Sequence, residues 1–167
     1  MLTDYDKNLI REVNQLRTNP VKYAEKLEKA KQYFNGTVWE HPDLKAAKPV
    51  GGLIPSKGLM NIAKEMCRTY QRDNEVDIDA LIAKYGEHDG EFCPLIEYGG
   101  RNPEMTVINL LVCDGDKTRG YRKSLFEPTC KKIGVSNGTH KMFKTISVIV
   151  SCDVFENSKD KIDKIYF

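Results

Sequence analysis

Leu9, Val13 and Leu16 recur at helical spacing near the start of the chain, behind Asp4 and Asp6, either of which can cap a first helix. Asn19-Pro20 stops that helix and opens the next. Asparagine is an N-cap type, and Pro20 suits the first helical position, where its missing N–H has no partner to lose. Tyr23, Ala24 and Leu27 make the second apolar face, with Tyr33-Phe34 placed to close it. Residues 35–55 show no period and read as a long irregular connection. Ser56 is expected to cap a helix carrying Leu59, Ile62, Ala63, Met66 and Tyr70, and a shorter helix is expected from Asp79 to Tyr85.

Residues 86–102 contain four glycines and a proline and read as loop, with at most a short strand through Leu95-Ile96-Glu97-Tyr98. Asn102-Pro103 repeats the cap-and-first-turn signature, so residues 103–112 form an apolar helix. Its stripe of Val107, Ile108, Leu110 and Leu111 reads as core. Thr118 can cap a short helix through Leu125 before Pro128 stops it. Beyond this point the period changes from 3.6 to 2. Residues 132–136, an Asn137-Gly138 turn and the β-branched run 145–150 predict two antiparallel strands, buried on both faces to judge from Ile146, Val148, Ile149 and Val150. Helices early and a small antiparallel sheet late predict an α/β chain, a three-layer α-β-α sandwich. Residues 1–155 read as one domain and 156–167 as a C-terminal tail.

Composition narrows the function classes. The 167 residues are enough for one self-sufficient core. Lys plus Arg number 26 against 24 Asp plus Glu, mixed along the chain, so the net +2 offers no basic stripe for nucleic acid. No apolar run approaches the roughly 20 residues of a membrane span. The N-terminus has early acids and no apolar h-region, so no leader peptide is expected to have preceded Met1. Five cysteines without a C-x-x-C pair fit neither a complete disulfide framework nor a zinc knuckle, and reduced thiols are expected. The N-G-T triplets at Asn35 and Asn137 then read as turn chemistry rather than glycosylation sites, and the expected compartment is the cytoplasm.

Several runs carry a family resemblance. Leu9-Ile10-Arg11-Glu12-Val13-Asn14-Gln15-Leu16-Arg17-Thr18-Asn19-Pro20 with Tyr23-Ala24, then Leu53-Ile54-Pro55-Ser56-Lys57-Gly58-Leu59 with Ala63, resemble the opening helices of the CAP superfamily (cysteine-rich secretory proteins, antigen 5, pathogenesis-related; SCP/TAPS) in its microbial and protist form. Lys84-Tyr85-Gly86 is similar to the Tyr-Gly before that family's glutamate motif. The run from Asp114 to Pro128, with Lys132-Ile133-Gly134-Val135, resembles its D-G-x-x-x-R-G-H-R…P…G-V signature. The resemblance spans residues 9 to about 155 and implies an α-β-α sandwich whose groove, in active-looking members, holds a divalent metal on two histidines and two acids.

This chain departs at each of those four positions. Tyr121 stands for the histidine of R-G-H-R, and a phenol is a poor zinc ligand beside imidazole. Pro94 stands for the glutamate of G-E-N-I. Cys113 stands for the second acid, with Asp114 adjacent. The other histidine falls in a shortened segment, and none lies between His41 and His88. The expectation is a catalytically silent groove with no cofactor and no metal. A replacement site would need His88, Glu91 and Glu97, or a Cys93 or Cys113–Asp114 nucleophile lowered by His88; solvated loop charges and spectator thiols are the plainer readings. His140 reads as structural. Arg119 and Arg122, flanking Tyr121, read as an anion site or as solvated charges.

The function expected from these departures is a protein-binding or structural subunit of a larger assembly, cytoskeletal or ciliary for example. Candidate docking residues are Ile162, Ile165, Tyr166 and Phe167 in the tail, with Arg119 and Arg122. The alternatives are a lipid or sterol carrier, which the resemblance implies for some members, and a hydrolase with a rebuilt site.

Overall fold

The computed structural model describes residues 2–34, 42–112 and 120–158. Helix α1 (Asp4–Thr18) starts from Thr3 rather than from either aspartate: the Thr3 hydroxyl accepts from the Asp6 N–H, and the Asp6 carboxylate accepts from the Thr3 N–H. Asn19 ends α1 and opens α2 (Pro20–Ala30), with Oδ1 accepting from the Lys22 N–H at 3.2 Å. Tyr33 is exposed on a short 3-10 turn, so Phe34 alone closes that end of the core. The long connection contains α3 (Pro42–Lys45) and the two-residue strand β1 (Ile54–Pro55).

Helix α4 (Lys57–Tyr70) follows Ser56 as expected, but the serine hydroxyl does not cap it. Asn157, at the far end of the chain, does: its Oδ1 accepts from the Gly58 N–H at 2.8 Å and from the Ser56 hydroxyl at 3.0 Å. Helix α5 (Ile78–Tyr85) is capped by Asp77. After it come strand β2 (Gly86–Tyr98), helices α6 (Pro103–Val112) and α7 (Gly120–Leu125), and strands β3 (Lys132–His140) and β4 (Lys144–Asn157).

Three expectations need correction. Residues 86–98 are a 13-residue strand, not loop with a short strand at its end. Pairing with β4 from Gly86↔Asn157 to Tyr98↔Ile146 supplies what local propensity does not, and a bulge between Asp89 and Phe92 absorbs Gly90 at φ 77°. Asn137-Gly138 is not the turn but lies inside β3; the chain reverses at 141–143, with Lys144 at φ 70°. Gly138 there lies against the end of the Gln71 side chain, just past α4. The sheet, ordered β1-β3-β4-β2, is mixed rather than antiparallel, since β1 runs parallel to β3.

The chain is α/β, with helices on both faces of this small sheet. On β4, Ile146, Val148, Val150 and Cys152 pack with Leu59, Ile62, Met66, Ile82 and Tyr85 of α4 and α5. Ile149 points the other way, into a larger cluster with Leu9, Val13 and Leu16 of α1 and Val107, Ile108 and Leu111 of α6. The expected two-sided burial of this strand is thus its period-2 alternation between two cores. Arg17, fully buried at the end of α1, ties the second core to the chain around it. Its Nε donates to the Gly51 carbonyl and its Nη1 to that of Leu125, both at 2.8 Å, while Nη2 donates to Glu127 and Cys130 at 3.0 and 3.2 Å. Burial pulls the pKa of this guanidinium down.

Candidate functional site

Strand β2 is at one edge of the sheet, so its two faces are covered unequally. Cys93, Leu95 and Glu97 are buried toward α1 and α6, whereas Phe92, Pro94, Ile96 and Tyr98 form a half-open stripe on the other face. Pro94, in the place the resemblance gives to a metal-binding acid, is part of that stripe. Tyr121, in the place of the histidine, is 39% exposed and within electrostatic range of Tyr98. Two of the four positions that the resemblance assigns to a metal site are thus a half-buried proline and a partly exposed phenol. Cys113, with Asp114 and Arg119, lies outside the described residues, as do Ile162, Ile165, Tyr166 and Phe167.

The stripe continues into the β3–β4 hairpin. Phe143 stacks on His140 with ring centroids 5.2 Å apart, and Tyr98 meets Phe143 and His140 at 5.1 Å each. His140 organises this end from within. Its Nδ1 accepts from the Met142 and Phe143 N–H groups, both at 3.3 Å, which requires the tautomer with the proton on Nε2, and Nε2 then donates to Asp73. Asp73 also bridges Lys141 at 2.7 Å; these two partners hold its carboxyl below the ordinary range, Lys141 most of all. The structural reading of His140 fits this arrangement. Met142, at 72% exposed, and Phe143, at 50%, are left facing solvent beside Lys141 and Lys144.

The residues that could rebuild a site are kept apart. His88 packs edge-on against Phe92, with centroids 5.5 Å apart, and so shares its face of β2, whereas Cys93 and Glu97 are on the opposite face. The contact with Phe92, made across the bulge, is what sets the imidazole on the face opposite the thiol. Glu91 is exposed at the bulge. Among the described residues no group of three or more His, Cys, Asp or Glu is close enough to share a metal ion.

Glu97 is not a solvated loop charge. It is 5% exposed, with Oε1 accepting from Asn109 Nδ2 at 2.8 Å and Oε2 against Gly100, where a Cβ would come within 2.7 Å. Burial raises its pKa against the pull of Asn109, Thr106 and Gly100. Tyr5, Thr106 and Ser147 continue this buried polar seam through their hydroxyls at 2.8 and 3.2 Å. Asn109 also lines a separate concavity of about 470 Å³ with Tyr33, Phe34, Arg101, Glu104 and Met105.

Arg122 is likewise inside rather than on the surface. It is 4% exposed and its Nε donates to the Leu111 carbonyl at 2.9 Å, fixing α7 to the end of α6. That burial gives Arg122, a docking candidate by sequence, a place in the packing of α6 and α7. The sequence reading missed Arg17 and the aromatic hairpin end altogether. Met142-Phe143 beside two lysines was the available signal for the second.

No family model matches the chain, and no curated protein matches it. Among solved structures it is similar to an outer surface protein from Borrelia burgdorferi, with 14% identity over 86% of this chain and 96% of that one, at a TM-score of 0.49.

Proposed function

We propose that this chain is a CAP-like domain whose groove serves as an apolar docking surface for a protein partner rather than as a catalytic centre, within a structural subunit of a larger intracellular assembly. The observation that carries this reading is the continuous stripe of Phe92, Pro94, Ile96 and Tyr98 running into exposed Phe143 and Met142. Large apolar side chains clustered at one end of a domain mark interaction sites more often than chance exposure does. Aromatic anchors of this kind dominate interface energetics. The flanking Lys141 and Lys144 favour a partner segment that is apolar with acidic neighbours.

The test is recovery of the native assembly with wild-type chain and with Tyr98→Glu plus Phe143→Glu, both at positions exposed enough to leave folding intact. Stoichiometric partner recovered with wild type and lost with the double variant supports the reading. Wild-type chain that runs alone in native extract, or a double variant that keeps the partner, overturns it. Stoichiometric sterol or fatty acid extracted from purified native chain would favour the carrier alternative instead.

A further inference from the structure

His140 is the last residue of β3, and its side chain is buried although the turn that follows is open to solvent. Both ring nitrogens are engaged. Nδ1 accepts from the Met142 and Phe143 N–H groups and Nε2 faces Asp73 Oδ1, all three at 3.3 Å. Among the described residues the two non-glycine positions at positive φ are Asp73 at 55° and Lys144 at 70°, and both adjoin this ring. Asp73 receives its Nε2, and Lys144, its partner across the hairpin, closes the turn that its Nδ1 holds. Left-handed backbone at such residues persists only while the surroundings over-determine it.

We propose that His140 is a pH-sensitive latch on the docking surface: protonation of Nδ1 releases the turn at 141–143 and moves Met142 and Phe143 away from the stripe. This regulation rests on the docking function above. A neutral imidazole with its proton on Nε2 offers Nδ1 as an acceptor, whereas an imidazolium carries a donor on both nitrogens. Three N–H groups would then converge where one lone pair had served two of them. The turn is the part that gives way, because Met142 and Phe143 are already exposed and lose little burial by moving.

Charged and titratable groups face the ring from each element around it. Asp73, in the turn after α4, and the Phe143 face stacked on the imidazole favour positive charge there. Lys141 on the turn and Lys144 on β4 oppose it, and Lys141 already holds the other oxygen of Asp73 at 2.7 Å. Tyr98 on β2 meets the ring edge-on and, as a phenol, stays neutral at the pH values concerned. The balance of these groups sets where the ring titrates. Loss of the acceptor for the two amides follows from protonation itself.

The experiment follows the full wild-type chain by NMR between pH 8 and pH 5, the interval over which imidazole changes charge. At pH 8 the His140 ring should carry its proton on Nε2. On acidification the Met142 and Phe143 amide signals should shift with the His140 ring at one midpoint. Their hydrogen-exchange protection, referred to the intrinsic rate at each pH, should fall about tenfold, while Ile149 and Val150 in β4 keep theirs. His140→Ala should show the weak protection at both pH values. Partner recovery from native extract should likewise fall about tenfold from pH 8 to pH 5 with wild type, and show no pH dependence with His140→Ala. A proton on Nδ1 at pH 8, a ring that stays neutral down to pH 5, turn amides indifferent to its titration, or a partner recovered equally at both pH values would overturn the latch. A chain that recovers no partner at either pH overturns the docking function instead, and the wild-type amides still decide whether His140 releases the turn.

Discussion

The end of α1 and the end of the β3–β4 hairpin invert the usual placement of residue types. Arg17 is fully buried, while Met142 and Phe143 are among the most exposed large side chains of the described residues. The guanidinium donates to four carbonyls, and so it holds three separate chain segments together. The hairpin aromatics pack mainly on one another. One region uses a charge for architecture, and the other leaves apolar surface that folding does not require. Substitutions should therefore separate them cleanly: large stability losses at the first, large binding losses and small stability losses at the second.

The largest effect is expected for Arg17→Met. It leaves the carbonyls of Gly51, Leu125 and Cys130 without the guanidinium donor and weakens the hold on that of Glu127, and several buried acceptors left unmet together cost on the order of 3–5 kcal/mol. Chemical denaturation with an unchanged m-value would measure it. A loss below about 1 kcal/mol would mean that water replaces the guanidinium, and the contrast would fail.

Gly134→Ala should come next. A Cβ there would fall inside the Leu59–Met60 backbone of α4, which cannot give way as a flexible side chain can, so a cost of about 1–3 kcal/mol is expected in thermal melts. Asn157→Ala should cost about 1 kcal/mol, because it removes the acceptor that caps α4. Restoration by Asn157→Asp, and not by Asn157→Leu, would identify the cap rather than packing as the cause.

How much of this could be read along the chain follows from what each feature depends on. Asn19-Pro20 and Asn102-Pro103 set their helix starts through neighbours three residues away, and both boundaries are where the sequence places them. Strand β2 depends on β4, about sixty residues later, and its glycines and Pro94 disguise it locally. The α4 cap depends on Asn157 for the same reason: Ser56 has the right residue type at the right place, yet a distant asparagine does the work. In the site, the departures at Pro94 and Tyr121 are visible in the sequence. The separation of His88 from Cys93 is not legible even once β2 is known to be a strand, because the bulge between Asp89 and Phe92 interrupts alternation and only the contact of His88 with Phe92 assigns the faces. Burial of Glu97, Arg17 and Arg122 has no local signal, since each is polar and each finds its partners on other elements.

Glu97 offers a smaller test of the polar seam in the larger core. Its folded pKa is raised above the unfolded value by burial, so the folded chain binds the more protons over the interval between them. The associated stability is fully present below the unfolded pKa and is lost as pH rises through the folded one. Glu97→Gln keeps an acceptor for Asn109 and removes the titration. The variant should match wild type in acid and exceed it at neutral pH, measured as the midpoint of urea unfolding across pH 4 to 8. A variant that loses ground to wild type as pH rises would show that the carboxylate is stabilised in place.

The smallest stability effect is expected at the hairpin, where Phe143→Glu should stay within about 0.5 kcal/mol of wild type because half of the ring already faces water. The local geometry does not depend on this ring. Lys144 keeps its left-handed turn, His140 still accepts from the two backbone N–H groups, and Asp73 still holds Lys141. His140→Ala is the paired control, since it removes both acceptor bonds and should loosen the turn, seen as faster amide hydrogen exchange at Met142 and Phe143. If Phe143→Glu instead destabilises as much as Asn157→Ala, the aromatic cluster belongs to the core of the fold. If it leaves the melt unchanged and abolishes partner recovery, the exposed rings are kept for what binds them.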